Sequence, residues 1–278
     1  MDAVDQVLAV PIKDRQPAPP DRVRCGHLGH RHQRGVCDGS GVSDHIYTAL
    51  ADHYIRSSEA GAPNALYDRP AIMRLLGDLS GRRVLELGCA AGYLTQELLA
   101  SGAEVVALDK SEQMVAFARE QVGGRARVET ADLNEPLDTV TDQSMDLVVA
   151  SLVLHYLPDW NPVLSEVHRS LRPGGALVMS IHHPITGWLR SDQTDYHRVE
   201  LIDEAWNVDG VSVTARMWRR PVSAVFAPLL EQGFVIDAVE EPTPRLDERA
   251  VPDQRTRDAL NRSPVFLYIR ASRPAPRP

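Results

Sequence analysis

The chain has 278 residues, enough for one generous α/β domain with attachments. A hydrophobic share of 43% beside a charged share of 24% suits a globular protein, not a membrane-embedded one. The formal charge is −8, and the only lysines are Lys13 and Lys110. With the arginines scattered, no basic cluster exists to neutralise phosphates, which excludes DNA and RNA as partners. No run approaches the ~20 apolar residues of a membrane span, and no signal-like apolar stretch opens the chain. Cys25, Cys37 and Cys89 form an odd, sparse set that points to a reducing cytoplasm.

Residues 1–42 read as a weakly structured tail, because Pro17, Pro19, Pro20 and an Arg/His/Gly stretch sustain no period of 2 or 3.6. Cys25, His27, His30, His32 and Cys37 match no zinc-ligand spacing, so no metal is expected. Residues 43–278 read as one domain. Its first part, 43–80, supplies cap helices. One starts at Ser43 or Asp44 with Ile46, Leu50 and Ile55 along it; the other runs from about Asn64 to Asp78. Short apolar strands follow at Arg83–Leu87, Glu104–Leu108, Ala126–Thr130, Met145–Ala150 and Ala176–Ile181. Helices near Tyr93–Ala100, Ser111–Val122 and Pro162–Leu171 separate them, the last with Asn161 as N-cap and Arg172-Pro173-Gly174-Gly175 as its stop. Strand–helix alternation with strands apolar on both faces predicts a doubly wound parallel sheet. An insertion at 184–220 follows the fifth strand. A helix near Val222–Glu231 and strands Phe234–Glu240 and Val265–Ala271 close the domain.

The informative segment is residues 84–98, VLELGCAAGYLTQEL. A strand ends near Glu86, a turn Gly88-Cys89-Ala90-Ala91-Gly92 follows, and a helix opens. Ligands of open α/β sheets sit at this carboxyl end of the strands. A dinucleotide site would need G-x-G-x-x-G and room for a pyrophosphate over the helix N-terminus. Glu86 repels a pyrophosphate and suits a ligand carrying an ammonium and a sulfonium.

This pattern resembles the acidic-x-Gly-x-Gly-x-Gly motif of class I S-adenosylmethionine-dependent methyltransferases, with Ala90 in place of the middle glycine. The resemblance extends over residues 44–271 and is closest to the ubiquinone-type and natural-product branch. It implies a Rossmann-like sheet of order 3-2-1-4-5-7-6 with the seventh strand antiparallel. It also implies S-adenosylmethionine as cofactor. Asp109, followed by Lys110, then takes both ribose hydroxyls; Met114 packs on the adenine; Asp132 accepts the adenine amine, with the Leu133 backbone beside it. Ser151 lies under the methionine moiety, and Tyr54 closes over the cofactor. Two rivals share this fold class: a nicotinamide oxidoreductase, which lacks its phosphate loop here, and a non-catalytic regulatory protein.

Methyl transfer from a sulfonium needs in-line alignment above all, with a base only where the nucleophile carries a proton. His155, His182 and His183, just past strand ends, are the candidate bases. The acceptor is expected to be a small, flat, aromatic or heteroaromatic metabolite. Tyr47 and Tyr67 of the N-terminal helices, and Trp188, Tyr196 and Trp206 of the insertion, are its expected walls.

Overall fold

In the computed structural model, which describes residues 63–208, 211–243, 251 and 254–275, the short apolar runs become inner strands of one sheet. These are β1 (Arg83–Leu87), β2 (Glu104–Asp109), β3 (Arg127–Thr130), β4 (Met145–Ser151) and β5 (Leu171–His182). With β8 (Val235–Glu240) and β9 (Phe266–Ser272) they form a seven-stranded sheet of order β3-β2-β1-β4-β5-β9-β8. The strands β1 to β5 pair in parallel, whereas β9 is antiparallel to both β5 and β8. The order implied by the family resemblance is therefore present, its sixth and seventh strands being β8 and β9.

Parallel neighbours require crossovers, and the helices supply them on both faces. The helices α1 (Arg69–Leu76), α2 (Tyr93–Ala100) and α3 (Glu112–Val122) bury Ile72, Leu98 and Val115 against Val84, Ala107, Val149 and Val178. On the opposite face α4 (Asn161–Ser170) and α6 (Val222–Glu231) bury Leu164, Val167 and Leu229 against Leu85, Val148, Leu177 and Met179. Successive residues Val84 and Leu85 thus enter different cores, as the two-residue period of a strand requires.

Several boundaries differ from the sequence expectation for physical reasons. The helix expected from Asn64 begins instead as a π-type turn, Pro63–Asp68, and becomes α-helical at Arg69. Pro70 has no N–H to donate into a continuous ladder, so α-helix starts just before it. Asn161 does not cap α4; it is the first helical residue, and its N–H and side-chain amide both donate to Asp159. The Arg172-Pro173-Gly174-Gly175 segment does end a helix, but the chain passes straight into β5, where Gly174 and Gly175 exchange backbone hydrogen bonds with Arg273. The insertion holds a helix α5 (Pro184–Arg190) and an antiparallel hairpin, β6 (Glu200–Val208) with β7 (Val211–Arg219). A further helix, α7 (Gln254–Arg262), has no counterpart in the sequence reading. The tail 1–42, the first cap helix, Tyr47 and Tyr54 lie outside the described residues.

Candidate active site

The turn after β1 makes the floor of the site. Gly88 has φ +72, and a Cβ there would sit 2.5 Å from Val153 Cγ2, so both conformation and space exclude a side chain. Gly92 has φ +86 and packs against the Ala118 backbone of α3. Ala90, where the family pattern has glycine, nevertheless adopts φ +46. Its N–H donates to Asp109 Oδ2 at 2.8 Å, and the other carboxylate oxygen accepts the Ser111 N–H at 2.9 Å. The end of β2 therefore braces the turn after β1.

Above this floor lies a cavity of about 610 Å³. Glu86, Gly88, Cys89, Ala90, Asp109, Lys110, Met114, Asp132, Leu133 and Ser151 all line it; Gly92 supports the turn from behind. The lining also includes residues that the sequence reading did not place in the site, among them Asp68, Arg69, Tyr93, Glu112 and Tyr156. Among the described residues, five carboxyl groups (Asp68, Glu86, Asp109, Glu112, Asp132) thus stand against two cations (Arg69, Lys110). Such a surround favours a positively charged ligand and disfavours a pyrophosphate.

Each carboxyl group has its own setting. Glu86 is 2% exposed and accepts the Thr95 hydroxyl at 2.6 Å. Burial, with a smaller contribution from Asp109, pushes its pKa up to about 8. Burial also raises Asp109 against three backbone N–H donors that favour its charge. At Asp132 burial works in the same direction, but hydrogen bonds from Asn134 and Lys110 outweigh it and hold the carboxyl below its ordinary value. The Lys110 ammonium is 3.2 Å from Asp132. Asp68 is 1% exposed, accepts the Ser151 hydroxyl at 2.5 Å, and is raised chiefly by burial. Cys89 is buried, and burial raises its thiol pKa well above normal, so it is no nucleophile.

The residues fit S-adenosylmethionine on these grounds. Asp109 lines the cavity and keeps acceptor capacity beyond its backbone hydrogen bonds, as contact with a diol requires. Met114, 1% exposed, supplies an apolar wall. The cavity volume falls within the range of small-molecule sites.

Comparison with known proteins agrees. Residues 85–179 match a family model described as a methyltransferase domain. A solved S-adenosylmethionine-dependent methyltransferase from Mesorhizobium loti superposes with a TM-score of 0.59 at 29% identity, over 77% of this chain and 99% of that one. Residues 85–179 are thus a methyltransferase domain, in a chain similar to S-adenosylmethionine-dependent methyltransferases. Among its curated relatives, a malonyl-[acyl-carrier protein] O-methyltransferase of Hamiltonella defensa is 30% identical over 48% of this chain and 52% of its own. A demethylmenaquinone methyltransferase of Clavibacter sepedonicus is 35% identical over 40% of this chain and 45% of its own. The chain spans about half the length of these two relatives.

The remaining candidates of the methyltransferase lie elsewhere. His155 is 4% exposed, within the 3₁₀ turn Leu154–Tyr156, with its ring 4.5 Å from that of His182. His182 ends β5 and, with His155, lines a second, small cavity. His183 caps α5: its Nδ1 accepts the Ile185 N–H at 3.2 Å, which leaves Nε2 protonated to donate to Glu241 at 2.5 Å. None of the three lines the 610 Å³ cavity. Tyr67 packs on Phe266 and Tyr268. Trp188 meets Tyr196 edge-on at 5.7 Å under the Arg219 guanidinium, and the Tyr196 hydroxyl accepts the Val222 N–H. Trp206 stands on β6; its side chain lies outside the described residues.

Proposed function

We propose that the enzyme methylates a small, flat, largely apolar acceptor that enters over the segment after β4. Methyl transfer is the chemistry of the matched domain, and S-adenosylmethionine, when bound, supplies an electrophilic methyl on a sulfonium. One observation carries the finer reading. Past Ser151, the cavity wall is Leu152, Val153, Tyr156 and Leu157, an apolar surface with one aromatic ring. This wall follows the strand whose end lies beside the methionine position implied for Ser151. Leu152 holds φ +48 there, with its N–H on the Ser180 hydroxyl and carbonyl, so the wall is fixed rather than adaptable. The relative named for demethylmenaquinone supports a small, planar acceptor; the one named for malonyl-[acyl-carrier protein] supports a small acyl group as the methylated part.

The chain's own contribution is alignment and charge. Asp109 and Met114 hold the nucleoside end, and the Asp68–Ser151 pair presents a buried polar group at the other. Fixed alignment of nucleophile, methyl and sulfur removes up to ~7–11 kcal/mol of barrier. With His155, His182 and His183 outside the cavity lining, no histidine among the described residues serves as base in this arrangement. A labelled-methyl assay over phenols, indoles, quinols, amines and carboxylates tests the reading. Turnover of a planar acceptor, with KM raised by Tyr156→Ala at unchanged cofactor affinity, is the expected result. Exclusive turnover of flexible aliphatic acceptors would sink the planar reading while leaving the methyltransferase assignment intact.

A further inference from the structure

Behind the 3₁₀ turn Leu154–Tyr156, a second cavity of about 20 Å³ is roofed by the β6–β7 hairpin. Such a volume holds about one water-sized particle. Its wall includes His155, Trp160, His182 and Arg220, with Ile202 and Met217 of the hairpin. Arg220 is 6% exposed, and its guanidinium lies 4.2 Å from the Trp160 ring centroid. Its Nη2 donates to the carbonyls of Leu157 at 2.8 Å and Pro158 at 3.1 Å. Its Nη1 is buried and has no hydrogen-bond partner among the described residues, and neither ring nitrogen of His155 has one. Glu204, the acidic residue in the cavity wall, is held by Arg190 at 3.1 Å, and Asp159, whose charge acts on Arg220, is exposed and accepts the Asn161 N–H and side-chain amide. Arg220 is therefore a buried cation with no carboxylate paired to it among the described residues.

We propose that this cavity is a binding site for one small monovalent anion, of chloride size, held by Arg220 Nη1 and a ring N–H of His155. Burial lowers the Arg220 pKa only to about 10, so the guanidinium stays charged at neutral pH. Carbonyl dipoles and the Trp160 face solvate that charge without neutralising it, and an unpaired buried charge is costly. Burial, then the His182 and Arg220 charges, keeps His155 neutral, with one ring nitrogen protonated and able to donate. A cation is repelled by Arg220, and the small volume suits an anion of one or a few atoms. The bound anion would tie the hairpin to the turn whose next residues, Tyr156 and Leu157, wall the methyl-donor cavity. The site thereby links anion binding to the acceptor side of the enzyme.

The test is thermal unfolding of the full chain in sodium chloride, bromide, formate or gluconate at equal ionic strength, for wild type and Arg220→Gln. Expected is a saturable rise in Tm of about 3 °C in halide at roughly ten times its dissociation constant, lost in the variant. Crystals grown in bromide should show an anomalous peak beside Arg220 Nη1; this readout stands even if Arg220→Gln fails to fold. A rise with formate instead of halide, still dependent on Arg220, supports the anion site and identifies a carboxylate as its occupant. Equal Tm in all four salts with no bromide peak overturns the proposal, leaving water in the cavity.

Discussion

The Asp109 carboxylate grips the Ala90 backbone N–H at 2.8 Å, joining the end of the second strand to the turn after the first. The same carboxylate thus shapes the turn after β1 and lines the 610 Å³ cavity. Replacing it removes both functions at once. Asp109→Ala is expected to weaken S-adenosylmethionine binding by ~1.5–3 kcal/mol, the range for hydrogen bonds to a charged group. Asp109→Asn should fall between, because an amide still offers one acceptor oxygen. Isothermal calorimetry that finds equal affinity in Asp109→Ala and wild type would refute the role of this carboxylate.

Ala90 carries the cost of a left-handed conformation at φ +46. A side chain there costs about 1–2 kcal/mol relative to glycine in the same well. Restoring glycine frees the unfolded chain as well, which takes back part of the gain. Ala90→Gly should therefore raise stability by about 1 kcal/mol, or roughly 2–4 °C in Tm. A fall in Tm measured by calorimetry would show that the strain at Ala90 is compensated elsewhere.

Gly88 presents the opposite case. A methyl group at this position meets Val153 at 2.5 Å in addition to the strain of φ +72. Gly88→Ala is expected to cost about 2–4 kcal/mol, from strain and overpacking together. Adding Val153→Ala should recover part of that loss but not all, since the backbone strain remains. Denaturant titration of the two single variants and the double variant separates these contributions. Full recovery in the double variant would mean that the contact alone decides.

Glu86 gives the fold a pH dependence with a definite sign. Its folded pKa of about 8 lies above the ordinary 4.5, because burial disfavours the charged form. Below pH 4.5 both folded and unfolded chains are protonated at this site. Between 4.5 and 8 the unfolded chain ionises while the folded one resists, so the unfolded state binds fewer protons and stability falls with rising pH. Glu86→Gln keeps an acceptor for the Thr95 hydroxyl without the titration. It should match wild type near pH 4.5 and exceed it near pH 8 by on the order of 3 kcal/mol. Urea unfolding at both pH values checks this, and a difference that does not vary with pH would rule the mechanism out.

Much of the sheet was legible because its strands are short apolar runs closed by capping residues. Ser111, expected at a helix start, does accept the Met114 N–H. The Glu86–Gly92 turn and Asp109 were legible because one backbone geometry needs glycine and one brace needs a carboxylate. The hairpin was not read, although Val211, Val213, Ala215 and Met217 alternate with polar residues after an Asp209-Gly210 pair. That is a hairpin signal, and the dense charge on both sides obscured it. Asp68 and Tyr156 escaped because nothing local marks them. Asp68 reaches the cavity through a hydrogen bond to a residue 83 positions away. The ring pairing of Trp188 with Tyr196 is also a tertiary fact; it commits both to joining α5 to the loop that precedes the hairpin.

The position of β9 bears on how the chain reaches this state during synthesis. This strand, Phe266–Ser272, is made last yet lies inside the sheet, antiparallel between β5 and β8. Until it emerges, β5 has an open edge of unpaired backbone groups, and β8 has no partner in the sheet. Tyr268, Ile269 and Ala271 are 0% exposed when it docks, so its arrival closes both cores at once. A ribosome-bound or prematurely terminated chain would therefore present a long, apolar, unpaired strand edge to its neighbours. Chains cut before Phe266 should be recovered as aggregates rather than as soluble, partly folded enzyme.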